Sequence, residues 1–302
     1  MKYIGICFKG LEDFVSKFVK GKIINSGRVE FSDLKDIKFF DSVYEFVDNF
    51  EFSNFEDLLK KLKVIEVDIK RSFLVKCNRE GEHDFRSLEV EREFGEYLFN
   101  KGFKVDLKNP DIKVFVDIID NKCYLGILKL FNLGKRDYRV KLNNQSINGC
   151  LAYTLIKIAD VKKNEILVDP FCKDGVVCIE AKLMGVKKVY GIDFNRSNLL
   201  ASQLNSKIAN ADVEFIEGDV SWLNTKFKDK EVRIVTSLPF SGVNKNLLNI
   251  YKEFFKEAKA VGKNEIVVIS GNDKFYEYCG DFKIVKREFF IGKMKYYLGI
   301  LS

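Results

Sequence analysis

Apolar and polar positions along this chain change period several times, and the changes mark its elements. KYIGICF reads as a strand, and LEDFVSKFVKG spaces its apolar residues for a helix that Gly21 stops. KIINSGRVEFS and DIKFFDSVYEFVDNF read as strands. NFEDLLKKLKVI reads as a helix capped by Asn54, with acids in its first turn. These elements predict a small α+β domain over residues 1–65. A second α/β unit, over residues 66–132, begins with the strand SFLVKCNRE. Ser87 is the expected N-cap of the next helix, whose residues Val90, Phe94, Tyr97 and Leu98 share one face, and Gly102 ends it. Two or three strands follow in KVDLKNPDIKVFVDIIDNKCYLGILKL, with a hairpin turn expected at Asn121-Lys122. A basic linker covers 133–150. From 151 to 302, strand and helix patterns alternate, which predicts a mostly parallel, doubly wound sheet. The final run, FKIVKREFFIGKMKYYLGILS, predicts an antiparallel hairpin at the sheet edge.

Composition changes this picture little. The 302 residues suit two or three domains, and 46% hydrophobic content suits several cores. The 31% of charged residues and the lack of a run of about 18 apolar residues argue against a membrane protein. The N-terminus, MKYIGICFKG, lacks the pattern of a signal peptide. Seven cysteines are scattered without a C-x-x-C pair and His83 is the single histidine, so no metal site is expected. Scattered cysteines suit a reducing cytoplasm. The net charge of +7 permits nucleic-acid binding. Basic residues concentrate between 121 and 150, where Lys122, Lys129, Lys135, Arg136, Arg139 and Lys141 face one acid, Asp137. That run is either a solvated loop or an RNA contact.

Candidate chemistry gathers at the ends of the strands from 164 onward. In an open α/β sheet, ligands sit at the carboxyl ends of the strands near the point where strand order reverses. The first strand ends VDPFCKDG, with a helix opening at Gly175, where free N–H groups suit an anionic or carboxylate group. Only one glycine of a G-x-G-x-x-G pattern is present, which argues against a dinucleotide. The second strand ends at Asp193, eighteen residues after Gly175, where a carboxylate accepts hydrogen bonds from ribose hydroxyls or caps a helix. The third ends at Asp219, which either accepts from an adenine amine or serves as a loop residue. The fourth is IVTSLPFSG, which carries Ser237, Leu238, Pro239 and Phe240 into a rigid aromatic loop. In this order the four ends describe a site for an adenosine-containing ligand with a reacting group beside that loop.

These motifs resemble those of the THUMP-containing S-adenosylmethionine-dependent RNA methyltransferases. VDPFCKDGVVCIEA is similar to the family's D-P-F-C-G-S-G-T-x-x-I-E-A segment, and TSLPFSG to its D/N-x-P-Y/F-G loop. Upstream, NREGEHDFRSLEVEREFGEYL and VDLKNPD resemble the THUMP domain, and LGKRDYRV resembles the R-x-Y-R link into the catalytic domain. The resemblance implies a Rossmann-like class I methyltransferase domain at the C-terminus, preceded by a ferredoxin-like α+β domain and a THUMP α/β domain. It implies a tRNA partner, S-adenosylmethionine as cofactor, and N2-methylguanosine as product. Carried over by position, Asp169, Pro170, Phe171 and Cys172 would flank the methionine part of the cofactor. Asp193 would bind its ribose and Asp219 its adenine, and Gly175, Phe194 and Val220 are further expected cofactor contacts. Residues 237–240 would present the base. Arg79, His83, Lys135, Arg136 and Arg139 are the expected RNA contacts, although Arg136 and Arg139 would equally pair with Asp137 or brace the domain junction. None of these motifs sets an oligomeric state.

The chemistry explains the loop. A guanine amine is a poor nucleophile, so acceptors must bind its N–H groups and stabilise the charge that develops on nitrogen. A strand-end side-chain oxygen and the next carbonyl would supply them, and Phe240 would stack the base. Two departures bear on this. Lys173 and Asp174 replace Gly-Ser, and a lysine is expected to lose the freedom for positive φ and to crowd the cofactor with bulk and charge. Ser237 replaces Asp or Asn with a shorter, weaker acceptor. The alternative reading is therefore a tRNA-binding relative or partner subunit with an impaired active site.

Overall fold

The computed structural model describes all residues except 70, 229, 241–244 and 262–264, together with the side chain of Lys245. The Ser241-Gly242 end of IVTSLPFSG therefore lies outside the described residues. The chain forms two compact units, residues 1–7 with 15–132 and residues 8–14 with 133–302.

The first unit begins β1 (Tyr3–Ile6), α1 (Glu12–Val19), β2 (Lys22–Asn25), β3 (Arg28–Phe31), β4 (Ser42–Glu51) and α2 (Phe55–Val64). It continues β5 (Ser72–Glu80), α3 (Ser87–Asn100), β6 (Lys104–Val105), β7 (Ile112–Ile119) and β8 (Lys122–Leu130). Among the described residues these strands make one eight-stranded sheet, in the order β2-β3-β1-β4-β8-β7-β5-β6. The first four have the antiparallel arrangement of a ferredoxin-like split β-α-β, with α2 following β4 instead of preceding it. β4 pairs along β8, so the sheet runs on without a break past the expected division at residue 65. Leu58 and Leu62 of α2 and Val90 and Phe94 of α3 bury against Val114, Val116 and Leu125 of the sheet.

Sequence and structure differ here at small points of local chemistry. Ser87 is the first helical residue and not the cap; the Arg86 N–H closes the helix start by donating to the Glu89 carboxylate, 2.7 Å away. The β7–β8 turn takes its left-handed residue at Asp120, one position before the expected pair. Residues 36–41, expected to lead the fourth strand, instead turn and bury Phe39 and Phe40.

The second unit contains α4 (Gly149–Ile158), β9 (Ile166–Asp169), α5 (Val176–Leu183), β10 (Lys188–Asp193), α6 (Arg196–Ile208), β11 (Glu214–Glu217), α7 (Trp222–Phe227) and β12 (Val232–Ser237). It closes with α8 (Lys245–Ala260), β13 (Glu265–Ser270), β14 (Ile284–Ile291) and β15 (Met294–Leu301). Among the described residues the sheet has seven strands, in the order β11-β10-β9-β12-β13-β15-β14. β9 to β13 are parallel. β15 returns antiparallel between β13 and β14, which places the C-terminal hairpin at the edge. Leu167 and Val168, adjacent on β9, enter opposite cores. One core holds Leu151 and Leu155 of α4 and Val177 and Ala181 of α5. The other holds Leu223 of α7 and Tyr251 and Phe254 of α8. This is the doubly wound class, and strand order reverses between β9 and β12.

The expected linker over 133–150 belongs to this second unit. It carries a short 3-10 turn (Leu133–Lys135) and then α4, capped by Asn148 accepting from the Leu151 N–H at 2.9 Å. α4 was not foreseen. Cys150 to Ile156 carry no polar stripe to mark a helical period, because this helix is covered nearly all round.

Candidate active site

The switch point brings together the ends of β9, β10 and β12. Asp169, at the end of β9, is fully buried and accepts from the Thr236 hydroxyl at 2.6 Å and the Phe171 N–H at 3.1 Å. Burial pushes its carboxyl up to about 6, against the pull of those hydrogen bonds. The loop after it is tight: the Cys172 N–H reaches Ile192 O, and the Gly175 N–H returns to Cys172 O at 2.7 Å. Burial raises the Cys172 thiol well above its ordinary value, so it stays protonated and inert. Gly175 caps α5 at φ +82°, and a Cβ there would lie 2.8 Å from Ser202 Cβ.

Lys173 departs from expectation in an instructive way. It keeps the left-handed conformation at φ +52°. The strain is held by its own N–H, which donates to Asp193 Oδ2 at 3.0 Å. Its side chain is buried and crosses to the end of β12. There Nζ donates to Ser237 O at 2.9 Å, to Ser237 Oγ at 3.3 Å and to Gln145 O at 3.1 Å. Desolvation brings the ammonium down to about 8, with Asp169, Asp193 and Asp174 resisting the shift.

Asp174, the second departure, is also buried and paired. It accepts from Arg139 Nη2 at 2.8 Å, from the Asn143 N–H and from the Ser146 hydroxyl. Arg136 lies bidentate on Glu180, at 2.9 and 3.2 Å, and Tyr138 donates to the same carboxylate at 2.7 Å. Arg136 and Arg139 each pair with a buried carboxylate inside the unit, the bracing that the sequence left open beside RNA contact. The K-R-D-Y-R run is thus the lock that ties the segment before α4 onto α5. Lys135 is exposed.

Asp193 is buried, and its Oδ1 accepts from the Asn195 N–H and from Asn198 Nδ2 at 2.9 and 3.0 Å. Phe194 beside it is 74% exposed, a large apolar ring held in water. Asp219 is exposed after β11; the Ser221 hydrogen bonds hold its carboxyl below the usual range, and Val220 is buried next to it. At the end of β12, Leu238 donates to Ile269 O and is buried, and Pro239 O accepts from the Tyr251 hydroxyl at 2.7 Å. Phe240 lies edge-on to Tyr296, with ring centroids 5.5 Å apart, and close against Gly271. Gln145, Thr236 and Asn198 were not foreseen; their contacts to Lys173, Asp169 and Asp193 cross 28, 67 and 5 residues of chain.

Arg79 and His83 belong to the first unit. Arg79 Nη1 lies 2.9 Å from His83 Nδ1, and His83 Nε2 lies 2.6 Å from Asp120 O, which assigns the ring proton to Nε2. His83 packs against Phe52 and Phe85, which also touch each other, beside a hollow of about 610 Å³. Among the described residues no group of three or more His, Cys, Asp or Glu side chains could hold a metal ion, and no helix is long and apolar enough to cross a membrane.

Two family models match the chain. A THUMP domain covers residues 38–128, and UPF0020, described as an RMKL-like methyltransferase domain, covers residues 136–298, more than half of the sequence. This chain belongs to the UPF0020 methyltransferase family. Its THUMP segment takes in β4 and α2, which the division at residue 65 had given to the preceding domain. The tRNA (guanine(6)-N2)-methyltransferase of Methanocaldococcus jannaschii is 27% identical over 280 residues, covering 74% of this chain and 73% of that protein. The enzyme of the same name from Thermus thermophilus is 32% identical over 204 residues, covering 65% of this chain and 60% of that protein. In fold, the chain is similar to the crystal structure of TrmN from Thermus thermophilus, with a TM-score of 0.82 at 23% identity over 100% of this chain and 99% of that one. It is also similar to SMU.472, a putative methyltransferase complexed with SAH, with a TM-score of 0.79 at 15% identity over 99% and 97%.

Proposed function

We propose that this protein transfers a methyl group from S-adenosylmethionine to the exocyclic amine of a guanine in tRNA. The observation that carries the reading is the Lys173 amino group. It is held by the carbonyl and hydroxyl oxygens of Ser237, so the end of β12 already binds an amine. Two convergent oxygens are what an exocyclic NH2 requires, and they lie beside the switch point where this fold class takes its ligand. The names of the relatives support guanine N2 in tRNA as the target.

The residues present fit the cofactor. Gly175 opens α5 at a positive φ where Ser202 and Phe215 exclude a Cβ, Asp193 retains acceptor capacity for ribose hydroxyls, and exposed Phe194 offers an apolar ring to the cofactor. Asp219 is ionised and free to accept from the adenine amine. When bound, the cofactor supplies a methyl group made electrophilic by a positive sulfur. Ser237 orients the target amine, Pro239 fixes the direction of the loop through Tyr251, and Phe240 flanks the base. Arg79, His83 and Lys135 are proposed to meet the RNA.

Transfer of labelled methyl to unmodified tRNA transcripts tests the reading, with Asp193→Ala as control. Incorporation that disappears in the variant, and nuclease digestion yielding N2-methylguanosine, is the expected result. No incorporation by the folded native protein between pH 6 and pH 10 overturns it, and intact tRNA binding would then favour a binding role.

A further inference from the structure

Lys173 holds the oxygens that the proposed reaction needs. Its ammonium is buried, and its N–H groups point at Ser237 O, Ser237 Oγ and Gln145 O. A target amine must take over the Ser237 pair from it. Ser237 itself has no charge with which to receive a proton.

We propose that Lys173 is the proton acceptor of the transfer, and that the ammonium held by Ser237 and Gln145 is the form it returns to after each turnover. The inference rests on the function proposed above. In its neutral form Lys173 loses its charge-assisted hold on the Ser237 oxygens, which are then open to the target amine. The amine lone pair forms the new N–C bond to the methyl group. The C–S bond breaks, and its electron pair stays on sulfur as a neutral thioether. The proton leaving the amine nitrogen goes to the Nζ lone pair. One positive charge is present before and after the transfer, moving from sulfur to Lys173, which then releases its proton to solvent before the next transfer.

The surroundings suit this role. The charged groups facing Nζ are Asp169 from β9, Asp174 from its own loop and Asp193 from β10; Gln145 and Ser237 supply neutral oxygens, and the Cys172 thiol stays protonated. No carboxylate hydrogen-bonds Nζ among the described residues, and burial places the ammonium near 8, where both forms are accessible close to neutral pH. The positive φ of Lys173 aims the side chain across the site, and Asp193 holds it there through the backbone.

Two measurements test the proposal. The first is an NMR titration of lysine ε-carbons in the cofactor-free protein, with Lys173→Met as the assignment control. One resonance with a midpoint near 8 that vanishes in the variant is expected; all lysines titrating above pH 10 overturns the proposal. The second is single-turnover methyl transfer between pH 6 and pH 10. The native rate should rise about tenfold per pH unit and level near the NMR midpoint, while Lys173→Met should be slower by about 100-fold and lack that limb. Lys173→Arg should be equally slow. Lys173→Gly, which restores the residue type best suited to φ +52°, should regain rate in proportion to added ethylamine. Transfer by Lys173→Met at or above the native rate makes Lys173 a mere obstruction and overturns the inference alone. No transfer by any form overturns the proposed function and this inference together.

Discussion

Arg28 in the first unit and Lys173 in the second are cations buried in different settings, and the difference separates a fixed group from a releasable one. In the first unit Arg28 is almost wholly buried. It lies bidentate on Asp117, at 2.6 and 2.8 Å, and reaches Glu80 at 2.8 Å. Tyr44 and Asn78 complete the hydrogen bonding of Asp117. Burial alone would lower the Arg28 pKa, but the two carboxylates more than offset it and hold the guanidinium above its ordinary value. In the second unit the hydrogen-bond acceptors of Lys173 are uncharged oxygens, and burial wins, so its pKa falls to about 8. A buried cation paired with a carboxylate is locked in place. One cradled by neutral oxygens can lose its proton and let go.

The largest test of this contrast is Asp117→Asn. It should cost about 3–5 kcal/mol in urea unfolding, because the Arg28 charge stays buried without its partner; a loss below about 1 kcal/mol would break the comparison. Arg139→Ala should cost about 2–3 kcal/mol, less because Ser146 and Asn143 still donate to Asp174. Lys173→Met should change stability at pH 7 by less than about 1 kcal/mol, since an apolar chain of similar length replaces a charge that burial already disfavours. The pH dependence sharpens this point. The folded pKa of Lys173 lies below its unfolded value, so the unfolded chain binds the extra proton between about pH 8 and 10.5. Native stability should therefore gain on that of Lys173→Met as pH rises through that window, and parallel curves would contradict the lowered pKa. The smallest effect should come from Glu165→Gln, which breaks a partly exposed pair with Arg233, at about 0.5 kcal/mol.

Much of the candidate site was legible because short-range patterns create it. The doubly wound class follows from alternation, and Asp169, Asp193 and Ser237 each end a strand whose length and apolar content mark it. Parallel strands with helices on both faces put those ends on one edge, so their convergence follows from class alone. The basic run left its roles open for a related reason. Charge density in sequence does not say which arginines meet a carboxylate, and Glu180 and Asp174 lie 44 and 35 residues from Arg136 and Arg139. The expectation that Lys173 could not keep a positive φ considered the residue alone, whereas Asp193, 20 residues on, supplies the hydrogen bond that holds it.

The sequence by itself determined the class of fold, the family, and the strand ends at which chemistry would gather. Those depend on periodicity and on residues near one another in the chain. Only the tertiary structure decided that Lys173 and Ser237, 64 residues apart, would become partners, and which carboxylates Arg136 and Arg139 would meet. Hydrogen bonds reach about 3 Å, and which groups come that close is set by packing.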